Sequence, residues 1–148
     1  MIRQSVIRKT RGGNSQRGSM LFDFTISALV LLALLFGVIE ISRLALVANA
    51  IANSARAGVR FAIVHGANAG TPQSSGSHAN VDTAVKNFAG AAPLNTSSVA
   101  VTVTYVDGTN TPGSRVEVKV TYAYDPFMTY YALNTVHLGS VSRGVIVF

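Results

Sequence analysis

Three histidines, six carboxylates and no cysteine are the side chains of this 148-residue sequence best suited to metal ligation and to acid–base work near neutral pH. His65, His78 and His137 stand apart. None has the H-x-x-x-H or H-E-x-x-H spacing that sets two imidazoles on one helix face around a metal. Asp82, Asp107, Glu117 and Asp125 are the acids of the C-terminal part, and two of them lie in or beside turns. That placement argues against a paired-carboxylate site. No phosphate-binding glycine loop precedes a helix, and the lack of cysteine excludes disulfides, thiol catalysis and Cys-based metal sites. The residues therefore predict no enzyme, no catalytic residue, no metal and no cofactor. His65 is expected to end a long helix, where an imidazole can meet unpaired carbonyls. His78 is expected to be solvated in a Ser-rich loop.

The chemistry that remains is proteolytic and electrostatic, and it lies near the N-terminus. Gly18-Ser19 follows a basic run. A cut between them would make Ser19 the new N-terminus and Asp23 the fifth mature residue, near a free α-ammonium. Asp23 needs such a partner, because an aspartate at mid-membrane costs roughly 2.5–3.5 kcal/mol, and less near the edge. Without the cut, Asp23 is expected at headgroup level as a first-turn acid, where the helix dipole contributes about 0.3–1 kcal/mol.

A membrane helix must position these residues. Phe24 to Ile39 carries no charge over 16 residues, and Ser19 to Asp23 extends the stretch to 21 residues with one ionisable group. About 20 mostly apolar residues cross a bilayer core. Glu40 and Arg43 mark the far end and, at i and i+3, can pair there. The rival is a secretory signal cut after Ala48-Asn49-Ala50. It ranks second, because Glu40 and Arg43 would fall between the apolar run and the cut.

The charge distribution fits a membrane topology. Hydrophobic residues are 49% of the chain and charged residues 12%, well short of the roughly 25% charged residues of soluble domains. The net charge is +6, and Arg3, Arg8, Lys9, Arg11 and Arg17 carry five of those charges within the first 18 residues. No aromatics interleave them and no second basic patch follows. The arm thus reads as a positive-inside signal that keeps the N-terminus cytoplasmic, not as a nucleic-acid arm.

Beyond the membrane, residues 41–64 hold no proline and one glycine, so the helix is expected to continue. Ile41, Ala45, Ala48, Ala52, Ala55, Val59 and Ala62 alternate steps of four and three, a heptad seam whose small alanines allow close helix approach. Asn49, Asn53, Arg56 and Arg60 line the opposite side. Residues 66–80 read as a turn-rich loop, and a short helix follows at Val81–Phe88 with Val81, Val85 and Phe88 on one face, capped by Asn80 or Ser77. Alternation then predicts strands around Val99–Tyr105 and Val116–Tyr122, joined by a hairpin loop from Asp107 to Gly113. Asp125-Pro126 ends the second strand, residues 127–135 form a short helix or loop, and Val141 to Phe148 forms a third strand. So small a sheet needs a helix on one face. The expected fold class is α+β: a basic leader (1–18), a transmembrane helix (19–40), its extracytoplasmic extension (41–66) and a small α+β domain (67–148) with an antiparallel sheet.

Two stretches resemble known proteins. Arg17-Gly18-Ser19-Met20-Leu21-Phe22-Asp23 resembles the class III signal of type IV pilins and pseudopilins. There a prepilin peptidase cuts after glycine and an acid, usually glutamate, stands at mature position five. Phe36-Gly37-x-x-Glu40 with Arg43, followed by Ala55-Arg56-x-Gly58-x-Arg60-Phe61-Ala62, resembles the TadE-like family, minor pseudopilins of tight-adherence (Flp) pilus systems. The dense resemblance covers residues 17–66, about a third of the chain. It implies a pilin-like fold and a minor subunit processed at Gly18 and Ser19, acting in pilus assembly and surface adhesion. It also implies a single-pass protein of the bacterial inner membrane, its C-terminal domain periplasmic or extracellular, with a place in the pilus itself left open. The implied partners are the membrane, a prepilin peptidase, other pilin-like subunits and pilus assembly proteins, with no nucleic acid and no small-molecule substrate. The competing reading is an uncleaved single-pass anchor whose outer domain binds a protein or ligand. An enzyme tethered by the same anchor ranks last.

Overall fold

A computed structural model describes residues 15–74, 76–127 and 135–148. The elements run α1 (Ser15–Val64), α2 (Ala79–Ala89), a single 3-10 turn (Thr96–Ser98), β1 (Val99–Tyr105), β2 (Arg115–Tyr124) and β3 (Val136–Val145). The chain is α+β, with a long apolar N-terminal helix, a short helix and an antiparallel sheet of order β1-β2-β3. It divides into two compact units between Ile39 and Glu40.

The described residues of the N-terminal unit are all helix. Met20, Leu21, Phe22 and Phe24 are each about 70% exposed, and none of the most apolar stretch of α1 is buried. From Gly18 onward α1 is long and apolar enough to cross a membrane.

The second unit, Glu40–Phe148, folds around the outer part of α1. Val99, Val103 and Tyr105 of β1 and Val116, Val118, Val120 and Tyr124 of β2 turn to one side of the sheet and are buried. Their period of two is the strand signature. Val47, Ile51, Ala55, Val59 and Ala62 of α1 and Val81, Val85 and Ala89 of α2 complete the cluster. Helix thus covers one sheet face, and the other face exposes Thr102, Thr104, Lys119 and Arg143 beside Val141 and Val145. The β1–β2 hairpin is fastened at its base by Asp107, which accepts from the Arg115 backbone N–H at 2.7 Å and from its guanidinium at 2.6 Å. The guanidinium bonds hold the Asp107 carboxyl down at about 2. Gly108 and Gly113 supply the two positive φ angles of the loop.

Three expectations need correction. The short helix spans Ala79–Ala89 and buries Val81, Val85 and Ala89, while Phe88 is exposed. The core side of α2 follows the i, i+4, i+8 row, and Phe88 falls beside it. The residue at the N-cap is His78, whose side chain makes no cap hydrogen bond. The third strand is Val136–Val145, not Val141 to Phe148. Its inner positions are Leu138, Ser140, Ser142 and Gly144, too small and polar to signal a strand. The last three residues leave the sheet: Ile146 is buried, Gly113 N–H donates to its carbonyl, and Val147 N–H donates to the Ile63 carbonyl at the end of α1. Of the expected helix or loop at 127–135, residues 128–134 lie outside the described residues.

Candidate functional site

Gly18, Ser19 and Asp23 are all exposed on the N-terminal unit. The helix begins at Ser15, so the Gly18–Ser19 bond lies within α1 rather than ahead of it. Asp23 consequently sits more than two turns into the helix. This corrects the first-turn reading, since the dipole effect fades within the first turn. In the uncut chain the dipole gives Asp23 no support. Gly37 is half-buried, with no atom near the position a Cβ would take.

The heptad positions do not share one environment. Ile41 and Ala45 are exposed, Ala48 and Ala52 half-buried, and Ala55, Val59 and Ala62 buried under the sheet. A straight helix drifts about 20° per heptad against a 3.5-residue repeat. The buried row accordingly runs through Val47, Ile51, Ala55, Gly58 and Ala62.

The later motif residues divide by side. Gly58 is buried where α1 meets α2 and β2, and a Cβ there would lie 2.5 Å from Val85 Cγ2 and 3.1 Å from Val118 Cγ1. Arg56 and Arg60 point outward, and Arg56 donates to Asn53 Oδ1 at 3.3 Å. Both line an open groove of about 740 Å³ between α1 and α2, shared with Leu46, Asn53 and Phe88.

The membrane-edge motif residues converge on a partner that sequence reasoning missed. Glu40 and Arg43 both meet Tyr124, the last residue of β2, instead of each other. Tyr124 Oη donates to Glu40 Oε1 at 2.6 Å, a length typical of a hydroxyl on a carboxylate. The Phe127 backbone N–H donates to the same oxygen at 3.3 Å. The Arg43 guanidinium lies over the Tyr124 ring, 5.3 Å from its centre, within cation–π range. Burial, and then the hydrogen bond to Glu40, push the Tyr124 hydroxyl up to about 12, against the opposing charge of Arg43. One signal for Tyr124 was present, because it continues the β2 alternation two residues past Tyr122. Nothing in the sequence tied it to Glu40. At the other end of α1, His65 behaves as expected: Nδ1 is 2.8 Å from the Phe61 carbonyl and its ring stacks on Phe61 at 3.9 Å.

Tyr124→Phe tests this node. A hydrogen bond to a charged group contributes about 1.5–3 kcal/mol, so the variant should be less stable by roughly that amount below pH 10. The folded hydroxyl titrates near 12 and the unfolded one near 10. The stabilisation is therefore complete below pH 10 and lost as pH rises through 12. Urea unfolding of both proteins in detergent should show the gap closing over that window. A gap that is constant with pH would refute the assignment.

Residues 18–60 match the family model described as TadE-like protein. The matched segment opens on Gly18, ends on Arg60 and includes the Glu40, Arg43 and Gly58 positions. Searches of curated proteins and of solved structures find no match.

Proposed function

We propose, taking the TadE-like match over residues 18–60 as premise, that this chain is a minor pilin-like subunit of a tight-adherence pilus. That match is the observation that carries the reading, and the exposed apolar helix beneath it supports a single-pass membrane protein. The basic residues up to Arg17 hold the leader in the cytoplasm of the bacterial inner membrane, and the Glu40–Phe148 unit lies outside. A prepilin peptidase cuts between Gly18 and Ser19. Gly18 is the weak point of the first helical turns, since glycine lowers helix stability by about 1 kcal/mol relative to alanine. Local unwinding presents the bond. Cleavage removes five of the six net charges and leaves Ser19 with an α-ammonium near Asp23. The pair lets the helix terminus sit at lower cost in the bilayer or against a neighbouring helix. The protein then works by packing rather than catalysis, joining other pilin-like subunits in assembly and surface adhesion.

Mass spectrometry of the protein extracted from its native membranes tests the reading. The expected mass lacks residues 1–18, and Gly18→Ala or loss of the peptidase restores the full-length mass. An intact N-terminus in the native host would refute it and favour the uncleaved anchor.

A further inference from the structure

The Glu40–Tyr124 node fixes the height of one exposed aromatic residue. Twenty helical residues, Met20–Ile39, rise about 30 Å, the thickness of a bilayer core. The core edge therefore falls at Glu40. Phe127 is tied to Glu40 through its backbone N–H, and its position is further set by Tyr124, which is bonded to the same carboxylate oxygen. Its side chain is nevertheless 78% exposed. Ile41, the residue after Glu40, is also 69% exposed. Arg43 and Tyr124 stand together one turn above. Aromatic rings and snorkelling arginines are the residues favoured at the headgroup level.

We propose that Phe127 inserts into the outer lipid interface, at the level of the residue that ends the membrane span. A single exposed aromatic is ordinarily unremarkable on a protein surface. Here its level is dictated by a bond to the residue that ends the membrane span. Removing the subunit from the lipid then requires withdrawing the ring. The inference rests on α1 crossing a membrane and is independent of cleavage and of the pilus.

The chain contains no tryptophan, so single tryptophans report alone. Three full-length variants, Phe127→Trp, Leu35→Trp and Val106→Trp, are reconstituted in phosphatidylethanolamine–phosphatidylglycerol vesicles. The lipids are brominated either near the glycerol or near the acyl-chain ends. Val106 adjoins the hairpin loop whose Asn110 accepts from Ala67 N–H just beyond the end of α1, which is on the order of 35 Å along the helix from Glu40. Phe127→Trp should lose roughly half its emission to the shallow bromines, the depth of interfacial aromatics, and less to the deep ones. Leu35→Trp should be quenched most by the deep bromines and Val106→Trp by neither. If Phe127→Trp matches Val106→Trp while Leu35→Trp is quenched, the proposal falls and the membrane span stands. Stronger quenching of Phe127→Trp by the deep bromines also overturns the interfacial placement. If Leu35→Trp escapes quenching, span and proposal fall together.

Discussion

Gly66→Ala is expected to destabilise the outer unit by about 3 kcal/mol or more, although it adds one methyl group. Three segments converge on Gly66: the end of α1, the β1–β2 hairpin loop and the C-terminal tail. A Cβ there would overlap the Phe148 carbonyl oxygen and Ile146 Cγ2, and would lie 2.7 Å from the Asn110 carbonyl oxygen. Two of these neighbours are backbone atoms, which cannot rotate away as a flexible side chain can. Overpacking a rigid site costs typically 1–3 kcal/mol, occasionally more, and relief here means displacing a whole segment. If the tail moves, Ile146 leaves the core and Val147 loses its bond to Ile63. If the hairpin loop moves, Asn110 loses its bonds to Ala67 and Gln73. Native stability is only about 5–15 kcal/mol, so the loss would be a large fraction of the total. Chemical denaturation in detergent measures it, and hydrogen exchange at Val147 shows whether the tail is the segment that yields. Gly70→Ala is the control, since nothing lies within 4 Å of its added Cβ. That variant should stay within about 0.5 kcal/mol of the parent, as surface changes usually do.

Gly66 also marks where sequence reading stops. Its neighbours come from positions 110, 146 and 148, and no local pattern announces a three-way meeting. The same holds for Glu40 and Tyr124, which are 84 residues apart. Glu40 was visible as the charge that ends an apolar run, and Arg43 as its i+3 neighbour. That pattern suggests an ion pair with equal force, and only the fold shows a tyrosine that donates to Glu40 and lies under Arg43. What was legible is what depends on local periodicity. The charge-free run gave α1, and Val99–Tyr105 with Val116–Tyr122 gave the first two strands. The β3 boundary was misplaced because Ser140, Ser142 and Gly144 occupy its inner face. The reason for the glycine is itself tertiary, since a Cβ on Gly144 would lie 2.7 Å from both Val59 and Ile63. At that position the helix lies so close to β3 that a side chain has no room. Phe88 misled for the opposite reason, being a large apolar residue that lines an open groove instead of the core.

Gly58→Val should cost about 3 kcal/mol, the upper part of the overpacking range, and its partial rescue identifies the cause. By propensity alone glycine inside a helix is a liability, worth about 1 kcal/mol against alanine. A residue retained against propensity needs a packing reason, and here one neighbour on α2 and one on β2 supply it. Val85 Cγ2 would stand 2.5 Å and Val118 Cγ1 3.1 Å from a new Cβ, with Val81 Cγ1 at 3.6 Å. All three valines are fully buried, and β-branched side chains have little rotamer freedom with which to retreat. Valine at 58 would push α2 off α1. Shrinking the obstacle should relieve the strain, so Val85→Ala, destabilising by itself, should recover part of the loss in the double variant. A double-mutant cycle by urea unfolding is expected to give a favourable coupling of about 1 kcal/mol or more, within the 0.5–3 kcal/mol seen for contacting residues. Additive effects would mean that Gly58 is not held small by Val85. The flanking Arg56 and Arg60 face the groove, not this contact, so Arg56→Ala should be additive with Gly58→Val. The Ala-Arg-x-Gly-x-Arg motif thus has two physical halves on one helix: a glycine that lets α1 and α2 close, and two arginines left outside for whatever the groove meets.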